Sequence, residues 1–243
     1  MNMLNELDYC EKHECNKKLL FQCKWICNKC ISESLKNASK QHEEILLKNL
    51  LSRRISNAQI PLDLKNKDLN NFLINDEEDE KIVVLAKRYM EQIVEKKTHL
   101  NLIITGPTGV GKSHIAVGIL KYCYELKYFR NSVCYSTSFG LANKVIATWA
   151  NPDLNEEDVL KEYTEIDLLV IDDLGYDDIG KKAEIINKII YRRHENQKST
   201  IITSNLKANQ VLEYMDSRTC SRFLSHLYSD IQIDTEDFRL KRM

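Results

Sequence analysis

Beyond residue 99, short apolar runs alternate with longer stretches in which apolar side chains return every three or four positions. The runs Leu100 to Thr105, Val133 to Ser136, Leu168 to Asp172 and Thr200 to Ser204 read as buried strands, with a short last strand at Ile231 to Ile233. Helical periods fall between them, near 113–127, 138–149, 181–195 and 207–215. Strand and helix in regular turn predict an α/β domain, a parallel five-stranded sheet flanked by helices on both faces. Residues 81–97 carry another helical period ahead of the first strand, and Asn155-Glu-Glu-Asp158 reads as the solvated start of a helix. Upstream the pattern differs. Residues 32–58 contain neither Pro nor Gly and set Leu35, Ile45, Leu46, Leu50, Leu51 and Ile55 at roughly helical spacing. We therefore expect three regions: a small module over 1–31, a helical linker over 32–59 and the α/β domain over 60–243.

Chemistry enters at the first strand. Gly106-Pro107-Thr108-Gly109-Val110-Gly111-Lys112-Ser113 follows that strand and opens a helical pattern, the context in which a glycine-rich loop cradles phosphates. Lys112 is expected to supply a point charge and Ser113 a hydroxyl for Mg²⁺, with His114 next in the same cradle. The third strand ends in Asp172-Asp173, and parallel strands deliver such carboxylates to one sheet edge. Asp172 is the expected second Mg²⁺ ligand, and Asp173 the group that polarises the attacking water, unless the pair merely caps the following turn. Asn205 closes the fourth strand, where its amide could orient that water or cap the next helix. Arg218 and Arg222 lie one helical turn apart, and either could reach a neighbouring copy's γ-phosphate. The chain contains no Asn-Lys-x-Asp guanine-reading motif, so ATP is the expected nucleotide.

Five of the eight cysteines fall at 10, 15, 23, 27 and 30. Cys10-Glu-Lys-His13 and Cys27-Asn-Lys-Cys30 each put two soft ligands three positions apart, which predicts a tetrahedral Zn²⁺ site of Cys10, His13, Cys27 and Cys30. Cys15 and Cys23 are spare thiols able to replace one of the four. So small a segment would draw its folding free energy from the metal, with Phe21, Trp25 and Ile26 as its core. The remaining histidines, among them His99, His194 and His226, are scattered along the chain. Net charge excludes a global pull on polyanions: −1 overall, +3 over residues 1–60 and −4 over the rest. Short apolar runs and a polar start predict a cytoplasmic protein with no membrane partner.

The phosphate loop, Asp167-Leu-Leu-Val-Ile-Asp-Asp-Leu-Gly175 and Ser199-Thr-Ile-Ile-Thr-Ser-Asn-Leu206 together resemble the AAA+ ATPases of the DnaC, DnaI and IstB group, from about residue 60 to the end. Ile189-Ile-Tyr-Arg-Arg-His194 and Asp237-Phe-Arg-Leu-Lys-Arg242 are similar to the same group, and the Cys/His segment to the zinc module of DnaI-type and phage-encoded helicase loaders. The resemblance implies an AAA+/RecA-like sheet without a full helical lid, since the chain ends about twenty residues after Arg222. It assigns Asn205 as the sensor-1 residue, Arg222 as the arginine finger with Arg218 as runner-up, and Arg239 as a sensor-2-like arginine. It also implies partners: a hexameric replicative helicase of the DnaB type, single-stranded DNA, and further copies joined through the ATPase domains. Candidate DNA contacts are Phe139, Lys144, Trp149, Lys181 and Lys182. Two other functions stand beside the loader: an IstB-like transposition helper on duplex DNA, and a zinc-stabilised adaptor that binds ATP with little turnover. The Cys/His module and modest charge favour the loader.

Overall fold

The computed structural model describes residues 9–20, 24–96, 98–125, 133–176 and 179–234, and the chain divides into two compact units, Met1–Ser52 and Arg53–Met243. Among the described residues no helix is long and apolar enough to cross a membrane.

In the first unit, β1 (Tyr9–Cys10) pairs antiparallel with β2 (Cys15–Asn16), and β3 (Lys18–Leu20) with β4 (Lys24–Ile26). Helix α1 follows over Asn28–Asn57, starting ahead of the expected 32. The reason is local. The Cys27 carbonyl accepts from the N–H of Ile31 at 3.0 Å, and the Cys27 sulfur takes the backbone N–H groups of Cys30 and Lys29, which makes Cys27 the N-cap. Cysteine is not among the side chains that announce a helix start, so the pattern alone misplaces it. Of the expected small core, Phe21 lies outside the described residues, while Trp25 stands opposite Leu19 in the β3–β4 ladder.

In the second unit, α2 (Glu77–Glu95) starts four residues before its apolar period, because the Asp76 side chain caps the N–H groups of Glu78 and Asp79, each at 2.9 Å. The alternation then runs β5 (Asn101–Thr105), α3 (Lys112–Glu125), β6 (Val133–Thr137), α4 (Ser138–Ala150), α5 (Glu156–Thr164), β7 (Leu168–Asp172), α6 (Lys181–Glu195), β8 (Ser199–Ser204), α7 (Ala208–Tyr214), α8 (Ser217–Leu224) and β9 (Leu227–Gln232). Asn155 caps α5 through its side chain, 2.8 Å from the N–H of Glu157. The expected last strand is longer than its apolar signal, because Ile231 alone in β9 is buried and the other five positions are polar or half-exposed.

All five strands of this sheet are parallel, in the order β6-β7-β8-β5-β9. Every residue of β5, β7 and β8 is buried, as helices on both faces of a parallel sheet require. Ile103, Leu169, Ile171 and Ile202 pack with Leu141, Val145, Leu160, Ile186, Ile189 and Phe223 from the covering helices, and each such side chain stabilises the fold by about 1.5–3 kcal/mol. A charged side chain is fully buried against this core. The fully buried guanidinium of Arg193 donates to the carbonyls of Tyr163, Ile166 and Ser199 and to the hydroxyl of Thr200, at 2.5 to 3.0 Å. It thereby ties the end of α5, the lead into β7 and the start of β8 to α6. Burial pushes its pKa down to about 9. Parallel register leaves Thr105, Asp172 and Ser204 at one sheet edge, where the site lies.

Candidate functional site

After β5 the chain turns through Gly106, Gly109 and Gly111 at φ 146°, 83° and 98°, conformations that L side chains rarely adopt. Close approach adds a second demand. A Cβ on Gly106 would lie 2.2 Å from the Ile233 carbonyl oxygen, and one on Gly111 would lie 2.8 Å from the Phe72 ring. Pro107 and Thr108 are exposed at the tip and Val110 is buried beneath it. Such a turn, opening directly into a helix N-terminus, presents backbone N–H groups to an anion. Lys112 is buried at the first position of α3, and its ammonium donates to the carbonyls of Gly106 (2.9 Å) and Pro107 (2.6 Å) and to Asn205 Oδ1 (2.7 Å). The loop lysine and the end of β8, 93 residues apart, meet directly.

Ser113 Oγ donates to both carboxylate oxygens of Asp172, at 2.9 and 3.0 Å. Tyr135 on β6 and Thr203 on β8 donate their hydroxyls to the same carboxylate. Burial, then the charge of Asp172, drives the Tyr135 pKa upward, so it remains a donor. Tyr135 and Thr203 carry no signal in the local pattern; only the sheet register brings them beside Asp172. A hydroxyl and a carboxylate at the rim of an anion cradle are hard-oxygen donors that fit Mg²⁺ sharing its shell with phosphate and water. Asp173 follows in the left-handed region at φ 56°, which turns the chain sharply, so Asp172 is buried and Asp173 exposed. Its backbone N–H is held by Thr203 Oγ1 at 3.1 Å and its carbonyl by the Ser138 hydroxyl at 3.0 Å.

The other predicted residues separate. His114 turns away from the loop, with Nε2 2.8 Å from both the Asp68 carbonyl and Asn71 Oδ1 and its ring edge-on to Phe72; burial lowers its pKa. Arg222 lies half-buried with its guanidinium 4.7 Å from the Tyr191 ring centre. Arg218 is exposed and lines an open groove with Glu184, Lys188 and Tyr214. Arg239 lies outside the described residues. Of the DNA candidates, Lys182 sits 4.0 Å over the ring of Phe139 and Lys181 5.4 Å over that of Trp149, with both rings well exposed. Lys144 is turned to Glu162, at 2.7 Å. The scattered histidines are partly gathered: His226 lies 3.9 Å from His99 and 5.1 Å from His194, ring centre to ring centre.

In the first unit, Cys10, His13, Cys27 and Cys30 bring four donor atoms within 4.8 Å of one another. Their separations test the fit to zinc. A tetrahedron with metal–sulfur bonds of about 2.3 Å and metal–nitrogen bonds of about 2.0–2.1 Å has S–S edges of roughly 3.8 Å and S–N edges of roughly 3.6 Å. Here Cys10 Sγ to Cys30 Sγ is 3.6 Å, and His13 Nδ1 lies 3.6, 3.6 and 3.3 Å from the sulfurs of Cys10, Cys27 and Cys30. The set fits Zn²⁺. Cys15 Sγ stands 3.5 Å from Cys27 Sγ, outside the four-donor group, and Cys23 lies outside the described residues. The N–H of Cys30 at the start of α1 lowers the Cys27 thiol to about 6, toward the thiolate a metal needs.

Comparison with known proteins places these features among relatives. A family model described as IstB-like ATP binding protein matches residues 41–243. The chain is similar to the replicative helicase loader DnaC of Escherichia coli (strain K12), 27% identical over 159 residues that make up 65% of this chain and 63% of that one. It is also similar to DnaC of Buchnera aphidicola subsp. Baizongia pistaciae (strain Bp), 33% identical over 144 residues, 58% of this chain and 56% of that one. The chain thus spans less than two thirds of the length of these curated relatives. Among solved structures, the fold is similar to a crystal structure of the DnaC helicase loader (TM-score 0.62, 20% identity, 72% of this chain and 100% of that one). It is similar too to a crystal structure of DnaI (TM-score 0.57, 20% identity, 74% and 94%).

Proposed function

Because the chain belongs to the IstB-like ATP binding proteins, we propose that it is an AAA+ ATPase that loads a hexameric replicative helicase of the DnaB type onto single-stranded DNA at replication initiation. The observation that carries this reading is the meeting of Lys112 with Asn205 and of Ser113 with Asp172 at one sheet edge. Relatives named as replicative helicase loaders support the choice of partner. Residues 1–31 would form the zinc module that meets the helicase, 32–59 its linker and 60–243 the ATPase domain.

Magnesium-bound ATP would supply the γ-phosphoryl group and the charge around it. Gly106 to Ser113 would hold its phosphates, Lys112 lending an ammonium and Ser113 with Asp172 holding the metal side. Tyr135 and Thr203 keep the Asp172 carboxylate turned to Ser113. Asp173 would accept a proton from water at its exposed carboxylate, and Asn205 would orient that water. Arg222, or Arg218 one turn earlier, would reach a neighbouring copy's site, so hydrolysis depends on assembly; Arg239 would act as the sensor-2-like group. The strip of Phe139, Trp149, Lys181 and Lys182 has the stacking faces and cations that suit single-stranded DNA.

The test mixes the full chain with the cognate replicative helicase, with and without ATP, and sizes the products. A nucleotide-dependent complex is expected. Asp173→Asn should retain ATP binding and lose at least 10²-fold in turnover. No complex in either state would end the loader reading. A shift of duplex DNA with the helicase left free would point to an IstB-like transposition helper, and a complex without turnover in the parent chain to a zinc-stabilised adaptor.

A further inference from the structure

Resting on the reading of the Cys/His cluster as a zinc centre, we propose that Glu33 is the outer-sphere anchor of that metal, holding His13 in the ring orientation and tautomer in which Nδ1 ligates. Neutral imidazole has one donor and one acceptor nitrogen, and the partner of one fixes the role of the other. His13 Nδ1 faces three sulfurs at 3.3 to 3.6 Å, while Nε2 lies 2.9 Å from Glu33 Oε1. With its proton on Nε2 donated to the carboxylate, the ring turns the Nδ1 lone pair toward the sulfurs. Nothing in the four-ligand pattern points to Glu33. It stands on α1 one turn beyond Cys30, and only the folded module brings it to His13.

Charge explains the third partner. Three thiolates outweigh a dication by one unit, so a carboxylate beside them would be repelled. Lys12 Nζ bonds the other carboxylate oxygen, Oε2, at 2.5 Å and offsets that repulsion. Lys12 and His13 sit together in the 3₁₀ turn Glu11–His13, whose N-cap is Cys10, so Glu33 also links the turn holding His13 to the helix holding Cys30. Outer partners of this kind typically govern metal affinity by 10–100-fold.

The experiment uses the full chain, with Zn²⁺ affinity read by competition with a chromophoric chelator and coordination read from the Co²⁺ d–d spectrum. The parent should bind one equivalent at this site, lost in Cys27→Ser. Glu33→Ala should bind about 10–100-fold more weakly and shift the Co²⁺ bands. Glu33→Gln, whose amide oxygen still accepts from Nε2, should keep the parent spectrum and recover part of the affinity. Unchanged affinity in Glu33→Ala would overturn the proposal while leaving the zinc reading intact. Equal loss in both variants would mark a merely helical role for Glu33 and overturn it as well. A parent chain that binds no zinc would end the zinc reading and this proposal with it.

Discussion

Replacing Arg193 with methionine removes a fully buried charged side chain from the core of the α/β unit while nearly keeping its volume. Three carbonyls, of Tyr163, Ile166 and Ser199, and the Thr200 hydroxyl then lose a donor in a site without water access. Each stranded acceptor costs about 1–3 kcal/mol, though not additively. Relief works in the other direction, because burial holds the guanidinium down to about 9 and methionine carries no such penalty. Removing one partner from a buried charged network typically costs about 3–5 kcal/mol net, and the relief argues for the lower end, about 3 kcal/mol. That is a large share of the roughly 5–15 kcal/mol of a whole domain. Arg192, the preceding residue, is the control: it pairs with Glu157 at 2.8 Å with 31% and 47% of the two side chains exposed. An exposed pair of this kind is worth at most about 1 kcal/mol. Urea unfolding of both variants, with midpoint and slope recorded, separates the two. An Arg193→Met chain within 1 kcal/mol of the parent, or an equal loss in Arg192→Met, would refute the reasoning.

Two further outcomes follow from the geometry. Gly106→Ala should destabilise the nucleotide-free chain by about 1–3 kcal/mol, since the new Cβ meets the Ile233 carbonyl at 2.2 Å in a backbone conformation that suits glycine; parent-like unfolding without nucleotide would count against it. Acid should weaken the fold through the histidine cluster. Burial, then neighbouring imidazoles, lower the pKa values of His99 and His194, the latter also beside Arg222 with Glu195 as the nearby acid. The unfolded chain therefore binds more protons, so the stability present above about pH 6.5 is lost as pH falls through and below that value. His194→Gln should flatten this acid limb, measured as denaturant midpoints at several pH values, and an unchanged profile would exclude the cluster as its source.

Much of the site was legible because its signals are local. The glycine spacing, the strand before it and the helix after it all lie within one stretch of chain, and Cys10, His13, Cys27 and Cys30 announce themselves by interval. What escaped depends on partners distant in sequence. Arg192 and Arg193 are indistinguishable as neighbours in a helical pattern, yet one faces solvent and the other fills the core. Tyr135 looks like any strand aromatic until register sets it beside Asp172. Glu33 reads as a surface helix residue, and β9 hides most of its length because an edge strand with a single buried position lacks an apolar run.

If the loop takes phosphates as proposed, the ammonium of Lys112, engaged by two carbonyls and an amide oxygen, makes their capture an exchange rather than a simple addition. An uncharged nucleoside brings nothing with which to win that cation from these oxygens, whereas a polyphosphate does. Selection would then rest first on the charge of the ligand. The same displacement would free the Asn205 amide, coupling the loop after β5 to the end of the neighbouring β8.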